Sequence, residues 1–242
     1  MNLEQQVKHL DKHYRDGNPI VSDKKFDILE KKLYEMHPDS DYFTNRDALP
    51  LPSLEKDTIE DFIDGLHKDT DIVVEPKIDG CAVAIEYRDG IIHKAITRKG
   101  KDIKDKMIRI RTVPLSVPTK DTIQIRGELY AKDVAGNVSQ RIAAGYLRSK
   151  SLDPNPQLTF SGFQIINAEI NQWDALDLLK KMGFKRHNCS LVPAWSLKES
   201  YKYWFKNELP TDGIVLKIND FKLQQTRPDY WQMAIKHYAC QK

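Results

Sequence analysis

Hydrophobic side chains recur at helical spacing at the start of the chain and at strand spacing from about residue 71 onward. Residues 3 to 14 and 22 to 37 are predicted to form two helices, because apolar residues recur three and four positions apart. Ser22 suits the N-cap of the second helix, and the intervening Asp-Gly-Asn-Pro at 16 to 19 is typical of a turn. We therefore predict a helical hairpin before any sheet begins.

The rest of the chain combines strands with flanking helices. Strands are predicted at 72 to 74, 82 to 87 and 123 to 129, with an Asp-Gly hairpin turn at 89 and 90, and helices at 173 to 182 and about 197 to 207. The irregular stretch from 40 to 53 serves as a linker, so we predict an N-terminal helical domain with its linker at 1–66 and a second domain at 67–242. The fold class is α+β, with antiparallel sheets and flanking helices in the second domain.

Composition points to a globular protein and excludes several other classes. The chain has 242 residues, of which 40% are hydrophobic and 30% charged. No apolar run approaches the roughly 18 residues of a membrane helix, and the polar N-terminus is unlike a signal peptide, so we expect a cytoplasmic location and no membrane. Cys81, Cys189 and Cys240 are too scattered for a zinc site or a disulfide framework, and no metal ligands are predicted from the composition alone. The net charge of +3 permits nucleic-acid binding without demonstrating it.

Lys77-Ile78-Asp79-Gly80, between the first two strands, carries the strongest chemical signal. Burying an unpaired ammonium is costly, and one reason to place a lysine at the end of an apolar strand is to make it a nucleophile. Gly80 would let backbone approach a ligand closely. The alternative is a lysine and an aspartate in an ordinary turn, and the tetrapeptide alone does not decide between the two.

This segment resembles the adenylation motif of the covalent nucleotidyltransferases, which include DNA ligases, RNA ligases and RNA capping enzymes. Further segments resemble the other motifs of that family, in family order. They contain Arg98 in Thr-Arg-Lys-Gly, Glu128 in Arg-Gly-Glu-Leu, Lys217 at the end of Asp-Gly-Ile-Val-Leu-Lys, and Lys236 near the end of the chain. The resemblance implies an ATP-grasp-like ligase adenylation fold.

The N-terminal hairpin resembles the domain that distinguishes NAD-dependent DNA ligases, in which it grips the nicotinamide mononucleotide half of NAD. Tyr14, Asp23, Phe26 and Asp27 fall on family positions. The alternative for these residues is a solvated acidic face beside a core phenylalanine.

The segment Leu51-Pro52-Ser53-Leu54 resembles the family's Ser-Leu element, which contacts the adenylate. A second interpretation, compatible with the first, makes Ser53 or Asp57 the N-cap of a helix that begins near Ile59.

The resemblance also implies a role for each matched residue. Lys77 and Asp79 would be catalytic, and Glu75 would lie beside the adenine. The other predicted cofactor-binding residues are Tyr14, Asp23, Phe26, Asp27, Ser53, Leu54, Arg98, Glu128, Lys217 and Lys236. Arg141 and Arg148, on one predicted helix, and Lys206 would contact phosphate or DNA. The implied cofactors are NAD and Mg²⁺, with Glu128 binding the ribose or helping to hold the metal.

We therefore predict the adenylation core of an NAD-dependent DNA ligase, acting on nicked duplex DNA in repair and replication. Lys77 would attack the α-phosphate of NAD, release nicotinamide mononucleotide and carry AMP. Two alternatives stay open: an ATP-dependent DNA or RNA ligase or capping enzyme, which would lack the hairpin, and a non-catalytic nucleic-acid-binding subunit, which would not need Lys77. Because the chain ends shortly after Lys236, we expect the oligonucleotide-binding barrel on a second polypeptide, as in a split phage or viral ligase, or in a missing C-terminal region.

Overall fold

The computed structural model describes residues 2–15, 20–38, 40, 42, 54, 58–98, 100–199, 209–227 and 230–236. The chain begins with helices α1 (Leu3–Arg15) and α2 (Asp23–Met36). The Ser22 hydroxyl accepts a hydrogen bond from the Lys25 amide, so this serine caps α2 as predicted. The two helices share an apolar core formed by Val7, Leu10, Phe26, Leu33 and Tyr42. The predicted helical hairpin is confirmed.

The third helix, α3 (Ile59–Ile63), corrects one prediction. Its N-cap is Thr58, whose hydroxyl accepts a hydrogen bond from the Asp61 amide while the Asp61 carboxylate accepts one from the Thr58 amide. This reciprocal capping box satisfies two backbone donors that the helix leaves unpaired. Neither Ser53 nor Asp57 is therefore the N-cap of this helix.

Strands and further helices follow. The strands are β1 (Asp71–Ile78), β2 (Cys81–Arg88), β3 (Ile91–Thr97), β4 (Ile123–Ala131), β5 (Leu158–Ile165), β6 (Ser190–Pro193), β7 (Thr211–Ile218) and β8 (Gln232–Lys236). The helices are α4 (Lys104–Met107), α5 (Gly136–Arg148), α6 (Gln172–Lys181) and α7 (Phe221–Thr226), with a 3-10 turn at Ala194–Ser196. The predicted helix at 197 to 207 lies largely outside the described residues.

The strands form two antiparallel sheets of four, in the orders β6-β1-β7-β8 and β3-β2-β4-β5. In the first sheet, alternate residues such as Ile72, Val74 and Leu216 pack with Phe62 of α3. In the second sheet, one face packs into a core to which α5 and α6 contribute. Side chains alternate between the two faces of a strand, so the opposite faces carry polar residues such as Glu75.

The observed elements confirm the α+β fold class, with helices and antiparallel sheets. The β2–β3 connection is the predicted Asp-Gly turn, in which Asp89 and Gly90 have φ of 50° and 75°, as a type I′ hairpin turn requires. Every helix in the described ranges is too short or too polar to pass through a lipid bilayer. The division into 1–66 and 67–242 stays a prediction.

Candidate active site

Residues from both sheets line a cavity of about 400 Å³. Its lining includes the predicted site residues Leu54, Glu75, Lys77, Arg98, Glu128 and Lys217. These residues come from five separate stretches of sequence, and the pairing of the strands brings them to one place. The cavity is therefore the candidate active site.

Lys77 lies near the end of β1, on a wall of this cavity. Its Nζ donates a hydrogen bond to Asp212 Oδ1 at 2.6 Å, and Lys236 Nζ lies 3.6 Å from the other oxygen of the same carboxylate. The Lys77 and Asp212 side chains are 21% and 35% exposed. One carboxylate thus holds two ammonium groups at a place that solvent and a substrate can reach.

Gly80 of the Lys77–Gly80 segment and Gly213 of the Asp212–Lys217 segment each allow a neighbouring strand's backbone to come close. A Cβ atom at Gly80 would lie 2.3 Å from the Leu129 carbonyl oxygen, and one at Gly213 would lie 2.1 Å from that of Ile235. Contacts this short are not tolerated, so a larger residue at either position would force neighbouring strands apart. Gly80 thus approaches the β4 backbone closely, and its approach to a ligand stays a prediction.

Asp79 links the lysine segment to helix α5. Its amide donates to the Pro210 carbonyl at 2.7 Å, and its carboxylate lies against Gly136, where a Cβ atom would be 3.0 Å from Oδ2. Burial raises the pKa of Asp79, and the Asp212 charge raises it further, while Lys77 and Lys236 oppose the shift. Asp79 is a carboxyl group that the site keeps poorly solvated.

Glu128 projects from β4 towards the same cavity. Burial raises its pKa to about 8, the Lys77 ammonium counteracts that rise, and the Asp79 charge adds to it. A carboxyl group with such a pKa is largely protonated at neutral pH, unless a cation or a substrate enters and favours its charged form.

A second lysine–carboxylate pair lies deeper in the cavity. Lys217 Nζ is 2.9 Å from Glu75 Oε1 and donates to the Phe163 carbonyl at 3.1 Å, and it lies 4.8 Å from the centre of the Phe163 ring. The side-chain amide of Gln172 donates to the same two oxygen atoms, Glu75 Oε1 and the Phe163 carbonyl oxygen, at 2.8 Å each. The Lys217 and Glu75 side chains are 2% and 6% exposed, so this pair is shielded from solvent.

The remaining predicted residues fall into two groups. Arg141 and Arg148 are exposed on α5, two helical turns apart and hence on one face, and they do not line the cavity. Phe26 is buried in the hairpin core, which gives it a packing role. The backbones of Tyr14, Asp23 and Asp27 belong to α1 and α2. Ser53 and Lys206 lie outside the described residues.

The family model of the NAD-dependent DNA ligase adenylation domain matches residues 53–239. This chain belongs to that family. The resemblance inferred from the motifs is thereby confirmed.

Curated relatives extend the match towards the N-terminus. A DNA ligase of Borrelia hermsii is 30% identical over 223 residues, covering 77% of this chain and 33% of the relative. A DNA ligase of Fervidobacterium nodosum is 28% identical over 298 residues, covering 96% and 43%. The chain thus spans less than half the length of either relative.

Solved structures share the fold of this adenylation domain. An archaeal ATP-dependent RNA ligase superposes with a TM-score of 0.53 at 15% identity, covering 78% of this chain and 48% of that one. A putative ATP-dependent DNA ligase from Aquifex aeolicus gives 0.51 at 12% identity, covering 80% and 51%. At such identities the likeness concerns the fold alone.

The structure of the adenylation domain also reveals site residues that the sequence did not single out. Asp212 was recognised only as part of a motif, yet it contacts the Lys77 ammonium. Phe163, Gln172 and His187 belong to no motif that we recognised; Phe163 and His187 line the cavity, and Gln172 contacts Glu75. Burial lowers the pKa of His187 to about 4, so its ring is neutral at pH 7. The alternation of β7 could have suggested that Lys217 faces the same way as Val215, but no periodicity points to Gln172.

Within the described ranges, no cluster of three or more histidine, cysteine, aspartate or glutamate side chains is arranged to hold a metal ion. Mg²⁺ does not need such a cluster, since it often binds through one or two carboxylates together with water and substrate phosphate. Asp79 and Glu128 are two poorly solvated carboxyl groups, both with raised pKa. A divalent cation would favour their charged forms, so the donor set fits Mg²⁺.

Proposed function

We propose that this chain is the adenylation core of an NAD-dependent DNA ligase and that Lys77 is its nucleophile. The observation that carries the proposal is the position of Lys77 Nζ, which is partly exposed on the cavity wall and held 2.6 Å from Asp212. The Nζ lone pair forms an N–P bond to the phosphorus of the AMP half of NAD. The bond from that phosphorus to the bridging oxygen breaks, and nicotinamide mononucleotide leaves with that oxygen and its electron pair.

The surrounding charges suit this reaction. Asp212 is within hydrogen-bond distance of the ammonium that has to give up a proton, which is the geometry required of a proton acceptor. Arg98 lines the cavity and Lys236 lies beside Asp212. Cations aimed at the phosphate stabilise the charge that develops on it in the transition state.

The deeper part of the cavity suits the nucleoside. Glu75 would lie beside the adenine, and the Phe163 ring and Leu54 offer apolar surface to it. Glu128 would bind the ribose or help to hold Mg²⁺, together with Asp79. Bound Mg²⁺ would neutralise negative charge on the phosphates of the substrate.

The hairpin formed by α1 and α2 would contribute the nicotinamide mononucleotide site. Tyr14 lies near the end of α1, and Asp23 and Asp27 lie in the first part of α2. We propose that these residues contact the leaving group, while Phe26 packs between the helices.

The whole protein would use the AMP to seal nicks in duplex DNA, as in repair and replication. Arg141 and Arg148 share one exposed face of α5, and these two arginines and Lys206 would each contact phosphate. Phosphate contacts of this kind supply most of the sequence-independent affinity for DNA.

The proposal is tested by the intact mass of the protein after incubation with NAD and Mg²⁺, and separately with ATP and Mg²⁺. We expect a gain of one AMP with NAD only. Lys77→Ala should abolish that gain, whereas the control Lys180→Ala, which changes an exposed lysine of α6, should keep it. A gain in the Lys77→Ala variant would refute the assignment, and a gain with ATP alone would favour an ATP-dependent enzyme.

The same assay tests the hairpin. Asp27→Ala should suppress charging by NAD, while Glu35→Ala, an exposed change on the same helix, should leave it intact. Circular dichroism of both variants reports whether the helices persist. Equal charging by the two variants would remove Asp27 from the nicotinamide mononucleotide site.

A further inference from the structure

Gln172 is a buried glutamine at the first position of α6. Its Nε2 donates one hydrogen bond to Glu75 Oε1 and another to the Phe163 carbonyl, both at 2.8 Å. Both partners are acceptors, so the reversed amide would place its own oxygen against a carboxylate and a carbonyl. The orientation of this amide is therefore determined by its surroundings.

Lys217 joins the same two oxygens from the other side, at 2.9 Å from Glu75 Oε1 and 3.1 Å from the Phe163 carbonyl. Both described hydrogen-bond donors to Glu75 thus end on Oε1. Glu75 lines the cavity, and Oε2 is the oxygen that these two donors leave for a ligand. Because two donors hold Oε1, the orientation of the Glu75 carboxylate is fixed, and so is the direction in which Oε2 points.

The backbone around Gln172 is itself held in place. The backbone N–H of Gln172 donates to the Asn219 carbonyl at 3.0 Å, and the backbone N–H of Trp173 donates to Asn219 Oδ1 at 2.9 Å. In the opposite direction, the Phe221 amide donates to Asn171 Oδ1 at 3.0 Å. The start of α6 is thereby fastened to the turn that follows β7, the strand that carries Lys217. Gln172 consequently has little freedom to follow a displaced Glu75.

We propose that Gln172 is a positioning residue that aims Glu75 and thereby makes the cavity prefer adenine to hypoxanthine. The inference rests on the proposed function in one respect, the placement of the base beside Glu75. A carboxylate only accepts hydrogen bonds, so it pairs with the amino group of adenine and faces the carbonyl oxygen of hypoxanthine unfavourably. Without Gln172, only Lys217 would hold Glu75, and a flexible four-carbon stem permits several geometries.

The test is isothermal titration calorimetry with AMP and with IMP, in a Lys77→Ala background that cannot be charged. The unaltered cavity should bind AMP at least about tenfold more tightly than IMP, the ratio that about 1.4 kcal/mol produces. Gln172→Met keeps the length of the side chain without its donors and should bring the two affinities to within roughly threefold of each other.

Gln224→Met is the matched control. Gln224 is also a buried helical glutamine, and its Nε2 donates to the Ile218 carbonyl at 2.7 Å, but it does not line the cavity. This variant should lose stability as Gln172→Met does and keep the preference for AMP. A merely structural role of Gln172 predicts the same behaviour for both variants.

An unchanged preference in Gln172→Met, or no preference in the unaltered cavity, would overturn the inference. If the methionine variant does not fold, Gln172→Asn decides, because its shorter amide cannot span both acceptors; wild-type preference in that variant would equally overturn it. The outcome is separable from that of the charging assay. A preference for AMP without charging by NAD would refute the proposed reaction alone, and charging without the preference would refute the role of Gln172 alone.

Discussion

Two lysine–carboxylate pairs connect the same two strands, and they differ in what surrounds them. At the end of β1, Lys77 pairs with Asp212 of β7 at 2.6 Å, with side chains 21% and 35% exposed. Further along, Glu75 of β1 pairs with Lys217 of β7 at 2.9 Å, with side chains 6% and 2% exposed. The same kind of ion pair therefore occurs once where solvent reaches it and once in the interior.

This difference in exposure separates the pair that we propose to take part in the reaction from a pair that is shielded from solvent. Ion pairs in contact with water contribute little to stability. A buried pair is costly to form, yet removing one partner is strongly destabilising because it leaves an uncompensated charge. The proposed transfer of Lys77 from Asp212 to a phosphate would therefore cost little, whereas Lys217 is held by Glu75 and the Phe163 carbonyl in the interior.

The largest effect should come from breaking the buried pair. Lys217→Met removes the ammonium and leaves the Glu75 charge in the interior, which should cost about 3–5 kcal/mol of unfolding free energy. Urea denaturation followed by circular dichroism measures the change. Lys222→Met, at an exposed lysine of α7, is the control and should stay within about 0.5 kcal/mol of the parent.

The double variant sharpens this prediction. Adding Glu75→Leu to Lys217→Met removes the stranded charge, so part of the lost stability should return. A double variant that is less stable than Lys217→Met by the full cost of a second core mutation would show that the two residues act independently.

An intermediate effect should come from Glu128, whose folded-state pKa is raised to about 8. Because the folded protein binds this proton more tightly than the unfolded chain, the group costs stability as pH rises from about 4.5 to about 8. Glu128→Gln should therefore gain stability relative to the parent over that range, by at most about 1.4 kcal/mol per pH unit, and the gain should vanish near pH 4.5.

Urea midpoints of the two proteins at several pH values provide the test. Taking the difference between variant and parent cancels other titrations, including that of His187, whose pKa is lowered to about 4. The lowered pKa of His187 changes stability in the opposite direction to that of Glu128. The folded protein loses stability as pH falls below about 6.5, the usual pKa of histidine. A pH-independent difference between the two proteins would mean that Glu128 is ionised in the fold.

The sequence predicted those features that have a local signature. Helical spacing gave α1 and α2, and Ser22 caps α2 as expected. The Asp-Gly turn at Asp89 is present, and Lys77, Glu128 and Lys217, which the motifs singled out, line one cavity in the structure. In each case, backbone preferences or a short motif fix the outcome over a few residues.

Features that depend on distant contacts escaped prediction. Lys77 and Asp212 are 135 residues apart, and Glu75 and Gln172 are 97 residues apart. No periodicity within one segment encodes such a pairing, which depends on the order of strands in the sheet. Thr58 was missed for a different reason, since several polar residues before a short helix are all acceptable N-caps, and only the geometry of Asp61 selects one.

The smallest effect on stability should come from breaking the exposed pair. Asp212→Asn removes the charge that holds Lys77 and Lys236, but water can replace it, so the loss should be under about 1 kcal/mol. Glu60→Gln is the control, because Glu60 also forms an ion pair with a lysine, Lys198, at 3.1 Å, and this pair is more exposed, with side chains 61% and 53% exposed, and does not line the cavity. Both variants should therefore unfold at nearly the urea concentration of the parent.

Charging by NAD should separate these two variants. Asp212→Asn should slow the gain of AMP mass, because Lys77 loses the group that orients it and can take its proton, whereas Glu60→Gln should charge like the parent. Slow charging with intact stability would establish that the exposed pair serves the reaction. A stability loss as large as that of Lys217→Met would instead show that both pairs hold β1 to β7, and that exposure does not distinguish them.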